Sequence, residues 1–281
     1  MTAAEYAEAQ RLIVAALVAF VLRLLLPFRG LLILPVSWRG ILAALFPAVE
    51  QARRQSAELG RRYYDSERAK HLDEDVDRHD VDLPGYLPEW FDEAMRPLAD
   101  VVSRDGVTDE VLTDAAHRVS KEAVAGSRRT ILRAVESDPA TIGFARIATG
   151  RETCAFCLMM ISRGAVRSHR YGSNRAAGLK TDKATAVELW RQIEQAGTDS
   201  ERERAEEAML ALMHRWHTGC DCLVVPIFDL RDWPGRTQAY EALQLWKSLT
   251  KGKRGRDALN ALRREVDNGR VDFQRYAAAA A

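Results

Sequence analysis

Four cysteines and one histidine carry the chemistry that this sequence offers. Cys154 and Cys157 form a C-A-F-C pair, and His217, Cys220 and Cys222 follow in H-T-G-C-D-C; no cysteine occurs elsewhere in the 281 residues. Soft thiolate and imidazole ligands in two short, distant groups suit one structural Zn²⁺, which four such ligands close in a tetrahedron. Five candidates are one more than such a site uses. The expected set is Cys154, Cys157 and Cys220 with His217 or Cys222 as the fourth. The alternatives are buried thiols or a disulfide across the two groups. A thioredoxin-like redox pair would need a βαβ setting that the pattern lacks.

A catalytic metal is not expected. A zinc deaminase needs His-x-Glu ahead of Pro-Cys-x-x-Cys, yet no histidine here has glutamate two residues on, and Thr153 precedes Cys154. No H-E-x-x-H is present, and four ligands leave no open position for water. No catalytic or cofactor-binding residue is assigned, and the chain is read as a non-enzyme.

The elements that must position these ligands follow from periodicity. The expected fold is mainly α with a small β-sheet: a helical N-terminal half and a C-terminal half stapled by the Cys/His cluster. In residues 1–64, Pro27, Pro35 and Pro47 are expected to divide an apolar stretch into short helices that form a docking region. Residues 65–82 read as a charged linker or helix. There Asp73, Asp75 and Asp77 mimic the start of a calcium loop, but Arg78 stands where glycine is required. Residues 83–228 form the domain with the cysteine site. Helical stripes run to Asp138-Pro139, a strand is expected from Ile142 to Ala148, and a second from Leu223 to Phe228. Between them a loop (Gly164 to Lys180) leads to one long helix whose stripe Ala205, Met209, Met213 and Trp216 extends to His217. Residues 229–281 read as surface helices around Ala239 to Leu249 and Ala258 to Val266, with the closing alanines a frayed tail.

Bulk properties exclude little but set the frame. Apolar residues make up 47% and charged residues 29%, and 41 basic side chains nearly cancel 40 acidic ones. Such a chain is globular and, as a whole, gives no electrostatic reason to bind nucleic acid. The basic stretch Lys251, Lys253, Arg254 and Arg256 could still contact phosphates locally. The start M-T-A-A-E-Y-A-E-A-Q lacks the basic n-region of an export signal, so a reducing compartment is expected, where such cysteines serve metals. Leu12 to Phe28 is strongly apolar but contains Arg23 and ends at Pro27, so no stable membrane span is expected. Leu12 to Val49 nevertheless holds more apolar surface than short helices bury against one another. The surplus should pack on helices of residues 83–138 or lie exposed as an interface.

At C-A-F-C-L-M-M-I-S-R-G-A-V (Cys154 to Val166) and H-T-G-C-D-C-L-V-V-P (His217 to Pro226) the chain resembles the Mu F-like phage head morphogenesis family, in the form carried by phages of actinobacteria. F-P-A-V-E-Q-A-R-R-Q-S-A-E-L-G-R-R-Y-Y (Phe46 to Tyr64) is similar as well, so the likeness covers residues 40–230. Arg167 departs from the aromatic expected after Gly-Ala-Val, and the residues after Phe228 are too few for the protease or toxin domain that many relatives carry. The resemblance implies a minor capsid protein of a tailed phage, found in the virion head and, during assembly, in the host cytoplasm. It would act at the portal with the portal protein and scaffold or major capsid protein, and could leave with the DNA. A metal-dependent nuclease or hydrolase acting on DNA, and a membrane-active genome-entry protein, are the alternatives from other classes.

Overall fold

A computed structural model describes residues 1–72, 77–81, 85–150, 153–166, 183–213, 218–220 and 222–278. The fold is mainly α-helical with a small two-stranded antiparallel sheet. It divides into two compact units, Met1–Ala134 with His217–Gly219, and Val135–Trp216 with Cys220–Ala281.

The first unit is built from long helices. α1 (Ala3–Leu25) begins at a capping box, in which Thr2 Oγ1 accepts from Glu5 N and Glu5 Oε2 accepts from Thr2 N, satisfying N–H groups the first turn leaves open. A 3-10 turn (Leu26–Phe28) leads to α2 (Pro35–His71), and α3 (Pro88–Arg104) and α4 (Asp109–Ser137) complete the unit. Leu17, Val21 and Leu25 of α1 meet Ile41, Leu45 and Val49 of α2, and Phe91, Met95, Val111 and Val119 of α3 and α4, in one core. α2 and α4 cross at backbone contact. A Cβ on Gly60 would lie 2.7 Å from Ser127 Cα, and one on Gly126 would lie 2.1 Å from the Arg53 carbonyl oxygen. A polar knot ties the crossing to α1: Ser56 and Ser127 both donate to Gln10 Oε1, at 2.8 and 3.0 Å. Tyr6 and Tyr63 stack beside it, centroids 4.5 Å apart.

Pro27 and Pro35 bound elements as expected, but Pro47 does not: α2 runs through it as one helix of 37 residues. The proline ring lies on the exposed face while Leu45 and Val49 beside it are fully buried. The core contacts of its neighbours outweigh the one missing hydrogen bond. The surplus apolar surface is divided between the two expected fates. One face of α1 and α2 enters the core, whereas the segment between the helices is exposed. Ile33 is buried and donates to Val102 O at 3.0 Å, but Leu31, Leu32, Leu34 and Val36 are 55%, 65%, 67% and 64% exposed. Six of the eight exposed large apolar side chains among the described residues lie between Leu12 and Val36. Among the described residues one helical stretch, Ala3–Phe28, is long and apolar enough to cross a membrane, with 17% of its most apolar window buried.

The second unit holds the sheet, β1 (Gly143–Ile147) and β2 (Leu223–Ile227), both buried along their whole length. They pair antiparallel with Gly143 opposite Ile227 and Ile147 opposite Leu223. Val166 continues the ladder on the other edge of β1, exchanging two hydrogen bonds with Phe144. Around the sheet lie α5 (Ala155–Ile161), the hairpin of α6 (Lys183–Gln195) and α7 (Asp199–Met213), α8 (Arg236–Leu249), α9 (Gly255–Asp267) and a 3-10 turn (Phe273–Tyr276). α5 packs on α8, α9 and β1.

Two expectations are corrected here. The single long helix before His217 is two helices. Thr198 and Glu201 make a capping box that starts α7, with Glu201 N on Thr198 Oγ1 and Thr198 N on Glu201 Oε2, and Gly197 just before it ends the earlier run. The alanine tail is also packed at its start: Ala277 is 8% exposed, and Ala278 N donates to Ala148 O at 3.1 Å. Near the acidic run, Arg78 pairs with Asp65 at 2.7 Å, while Asp73 and Asp75 lie outside the described residues.

Candidate metal centre

The strand register assembles the cysteines. In an antiparallel pair the end of one strand lies opposite the start of the other. β1 ends at Ile147, seven residues before Cys154, and β2 starts at Leu223, next to Cys222. Pairing Ile147 with Leu223 therefore brings both cysteine groups to the same end of the sheet. Cys154 is the N-cap of α5, and its Sγ accepts from Cys157 N at 3.4 Å. One turn of helix then sets Cys157 Sγ 3.6 Å from Cys154 Sγ. From the other group, Cys220 Sγ lies 3.5 Å from Cys157 Sγ, and the sulfurs of Cys157, Cys220 and Cys222 all lie within 4.8 Å of one another. Cys157 and Cys222 are buried, while Cys154 and Cys220 are partly exposed.

These spacings are informative. A disulfide would hold two sulfurs at about 2.05 Å, and none joins any two of the four cysteines. Four sulfurs on one tetrahedral ion at about 2.3 Å each stand about 3.8 Å apart, close to the observed separations. The Cys157 thiol is pushed well above its ordinary value, first by the adjoining Cys154 sulfur, then by Cys220 and Cys222, and finally by burial. Hydrogen bonds with the neighbouring sulfurs and burial both favour the neutral Cys157 thiol, and a bound cation would reverse the sign of that effect. The cluster can bind a metal ion.

Of the five expected ligands, Cys157, Cys220 and Cys222 are brought together, with Cys154 adjoining through Cys157. His217 lies outside the described residues. Lys251, Lys253 and Arg254 are exposed in the turn between α8 and α9, and Arg256 is exposed in the first turn of α9. One residue the sequence does not flag is Arg163. It follows α5 in the S-R-G motif, with its guanidinium over the Trp246 ring at 5.2 Å and burial pulling its pKa down. Only the motif itself could have drawn attention to it.

A sulfur cluster at the end of a two-stranded sheet, together with an N-terminal unit of long helices, defines a non-repetitive, mainly helical class. Its family is given by comparison: residues 2–248 match the VG15 protein family, and the chain belongs to that family. It is 39% identical over 301 aligned positions, spanning the whole of both chains, to the Gene 15 protein of Mycobacterium phage L5. It is 37% identical to the Gene 15 protein of Mycobacterium phage D29, over 96% of this chain and all of that one. These relatives are encoded by bacteriophages. No solved structure matches the chain.

Proposed function

We propose that this chain is a minor capsid protein of a tailed bacteriophage, of the Mu F-like head morphogenesis kind, and a structural component rather than an enzyme. It acts at the portal during head assembly and resides in the phage head. The observation that carries the reading is the exposed apolar segment between α1 and α2. Leu26, Leu31, Leu32, Leu34 and Val36 lie within eleven residues of one another, each at least 47% exposed. An apolar patch this dense marks an interface, and the portal protein is its assigned partner, with scaffold or major capsid protein adjoining.

The cysteine cluster has the complementary role of a staple. Cys154, Cys157, Cys220 and Cys222 are proposed to bind one structural Zn²⁺, a closed Cys₄ set that joins α5 to the start of β2 and leaves no position for substrate. The phage origin of the relatives and the likeness of both cysteine motifs to head morphogenesis proteins support this reading. The test is a pair of charge insertions. Leu32→Glu with Leu34→Glu, on exposed side chains, should leave the melting temperature of the isolated protein unchanged and abolish incorporation into heads. Leu45→Glu, fully buried, should unfold the first unit. If the exposed pair enters heads normally, the docking assignment is wrong.

A second reading has a specific observation behind it. The length and apolarity of Ala3–Phe28, mostly unburied, fit a membrane-active genome-entry protein. Flotation of the purified chain with phospholipid vesicles, lost in the same exposed double variant, would favour that reading over portal docking.

A further inference from the structure

The second unit carries a cationic face that neither the metal centre nor the apolar segment uses. From Ala242 to Arg256 the sequence has five cations, Lys247, Lys251, Lys253, Arg254 and Arg256, and no acidic residue. All five side chains are exposed, although the chain as a whole is nearly neutral. The turn that carries three of them is ordered, with Lys253 N donating to Thr250 O at 2.9 Å and a left-handed Gly252, and Arg256 follows in the first turn of α9.

This turn continues a stripe along α8. Arg236, Tyr240, Leu243 and Lys247 recur at spacings of four, three and four residues, which places them on one face of the helix. The first three line a cleft of about 410 Å³ whose opposite wall includes Ser162, Arg163 and Trp233. Tyr240 is 64% exposed at its rim. Arg163 leans on Trp246, its guanidinium 5.2 Å from the ring centroid, and brings a cation to the wall of the cleft. The acidic residues on adjoining segments are Asp229, Asp232, Glu241 and Asp257. Glu241 is held by Arg275 at 2.9 Å, and Asp229 caps Arg231 N at 2.7 Å.

A row of exposed cations selects a polyanion. An exposed aromatic ring beside a guanidinium-lined cleft selects one that carries planar groups free to stack. Nucleic acid meets both demands, and an acidic peptide meets only the first. We infer that the α8 face binds single-stranded nucleic acid, with the phosphates along Lys247 and the α8–α9 turn and an unpaired base stacked at Tyr240 beside Arg163. A duplex would offer the same charge but keep its bases from the ring.

The test uses the full chain and fluorescence anisotropy of a labelled oligothymidylate. Binding is expected at low salt, with a log–log salt slope of roughly −3.5 if each of the five cations meets one phosphate at about 0.7 per contact. Tyr240→Ala should weaken binding by about fivefold or more and leave the slope unchanged. Lys253→Glu with Arg254→Glu should weaken binding and flatten the slope. Both changes lie on exposed side chains, and circular dichroism will show that the fold is retained. The inference is overturned if the oligonucleotide does not bind, if a duplex of the same length binds as tightly, if polyglutamate of equal charge displaces it equally well, or if Tyr240→Ala has no effect.

Discussion

Replacing each cysteine in turn with serine separates three descriptions of the sulfur cluster, because each predicts a different pattern of loss. If the cluster is a group of buried thiols, the cost follows burial. Serine at Cys157 or Cys222, both 0% exposed, would hide a hydroxyl at about 1–3 kcal/mol. Serine at the partly exposed Cys154 and Cys220 would stay within about 0.5 kcal/mol of wild type. If the 3.5 Å pair Cys157–Cys220 closes into a disulfide, the partly exposed Cys220 becomes sensitive along with Cys157, by about 2–4 kcal/mol, while Cys154 stays neutral, and reductant reproduces their loss.

A metal erases both patterns. Each sulfur is then one of four ligands, so all four substitutions cost about the same whatever their exposure. The expected scale is several kcal/mol, since structural zinc contributes about 10–16 kcal/mol in small domains. That is comparable to the whole of the roughly 5–15 kcal/mol that usually separates folded from unfolded chains, so metal-free protein should lose the β1–β2 pairing. The measurements are elemental analysis of the purified chain and denaturation followed by circular dichroism, each with and without chelator. Equal losses at Cys154 and Cys222, with about one zinc per wild-type chain, are expected. Zinc-free wild type, together with near-neutral Cys154→Ser and Cys220→Ser, would refute the metal assignment.

Two glycine substitutions of the same chemistry should have opposite signs. Gly40→Ala, in α2 with nothing within 4 Å of the added carbon, should stabilise by about 0.5–1 kcal/mol. Gly126→Ala, meeting the Arg53 carbonyl at 2.1 Å, should destabilise by roughly 3 kcal/mol; urea denaturation measures both. Alkaline pH should also weaken the fold. Burial pushes the Tyr6 hydroxyl up to about 12 from its ordinary 10.0, so the folded state keeps a proton that the unfolded state releases. Stability is therefore full below about pH 10 and falls towards pH 12, by up to about 3 kcal/mol from this one group. Tyr6→Phe keeps the ring stack on Tyr63 and should flatten that part of the pH profile.

Local signals in the sequence were legible where they matched a local cause. Both strands were visible as short apolar runs, and the stripes of α3 and α4 were visible as helical periods. The misreadings arise where tertiary packing overrides such a signal or a cap goes unnoticed. Pro47 looks like a helix end, but Leu45 and Val49 hold α2 together across it by core contacts that no local pattern reports. The reverse holds at Thr198, where T-D-S-E spells a capping box that divides what the apolar period alone presents as one helix. Both fates of the N-terminal apolar surface are expected from its excess, but which residue takes which is not legible. Leu32 and Ile33 are adjacent and similar in hydrophobicity, yet they are 65% and 3% exposed. What distinguishes them is the backbone pairing of Ile33 with Val102, a contact across sixty-nine positions of sequence.

The choice among five candidate ligands shows how far spacing alone can go. C-A-F-C and H-T-G-C-D-C name the donors, but composition cannot rank His217 against Cys222, since zinc accepts either. Register can. Cys222 adjoins Leu223, and Leu223 faces Ile147 across the sheet, so whatever fixes the strand pair also fixes that sulfur beside Cys157. His217 lies five residues further upstream, beyond the left-handed turn at Gly219, and the pairing places no such demand on it. A one-residue slip in the ladder would turn every β2 side chain to the opposite face, in a strand buried along its whole length. The observed register sets Cys222 beside Cys157, which supports the proposed choice of Cys222 as the fourth ligand. On this argument His217→Ala should leave zinc content unchanged while Cys222→Ser removes it, and elemental analysis of the two variants decides between them.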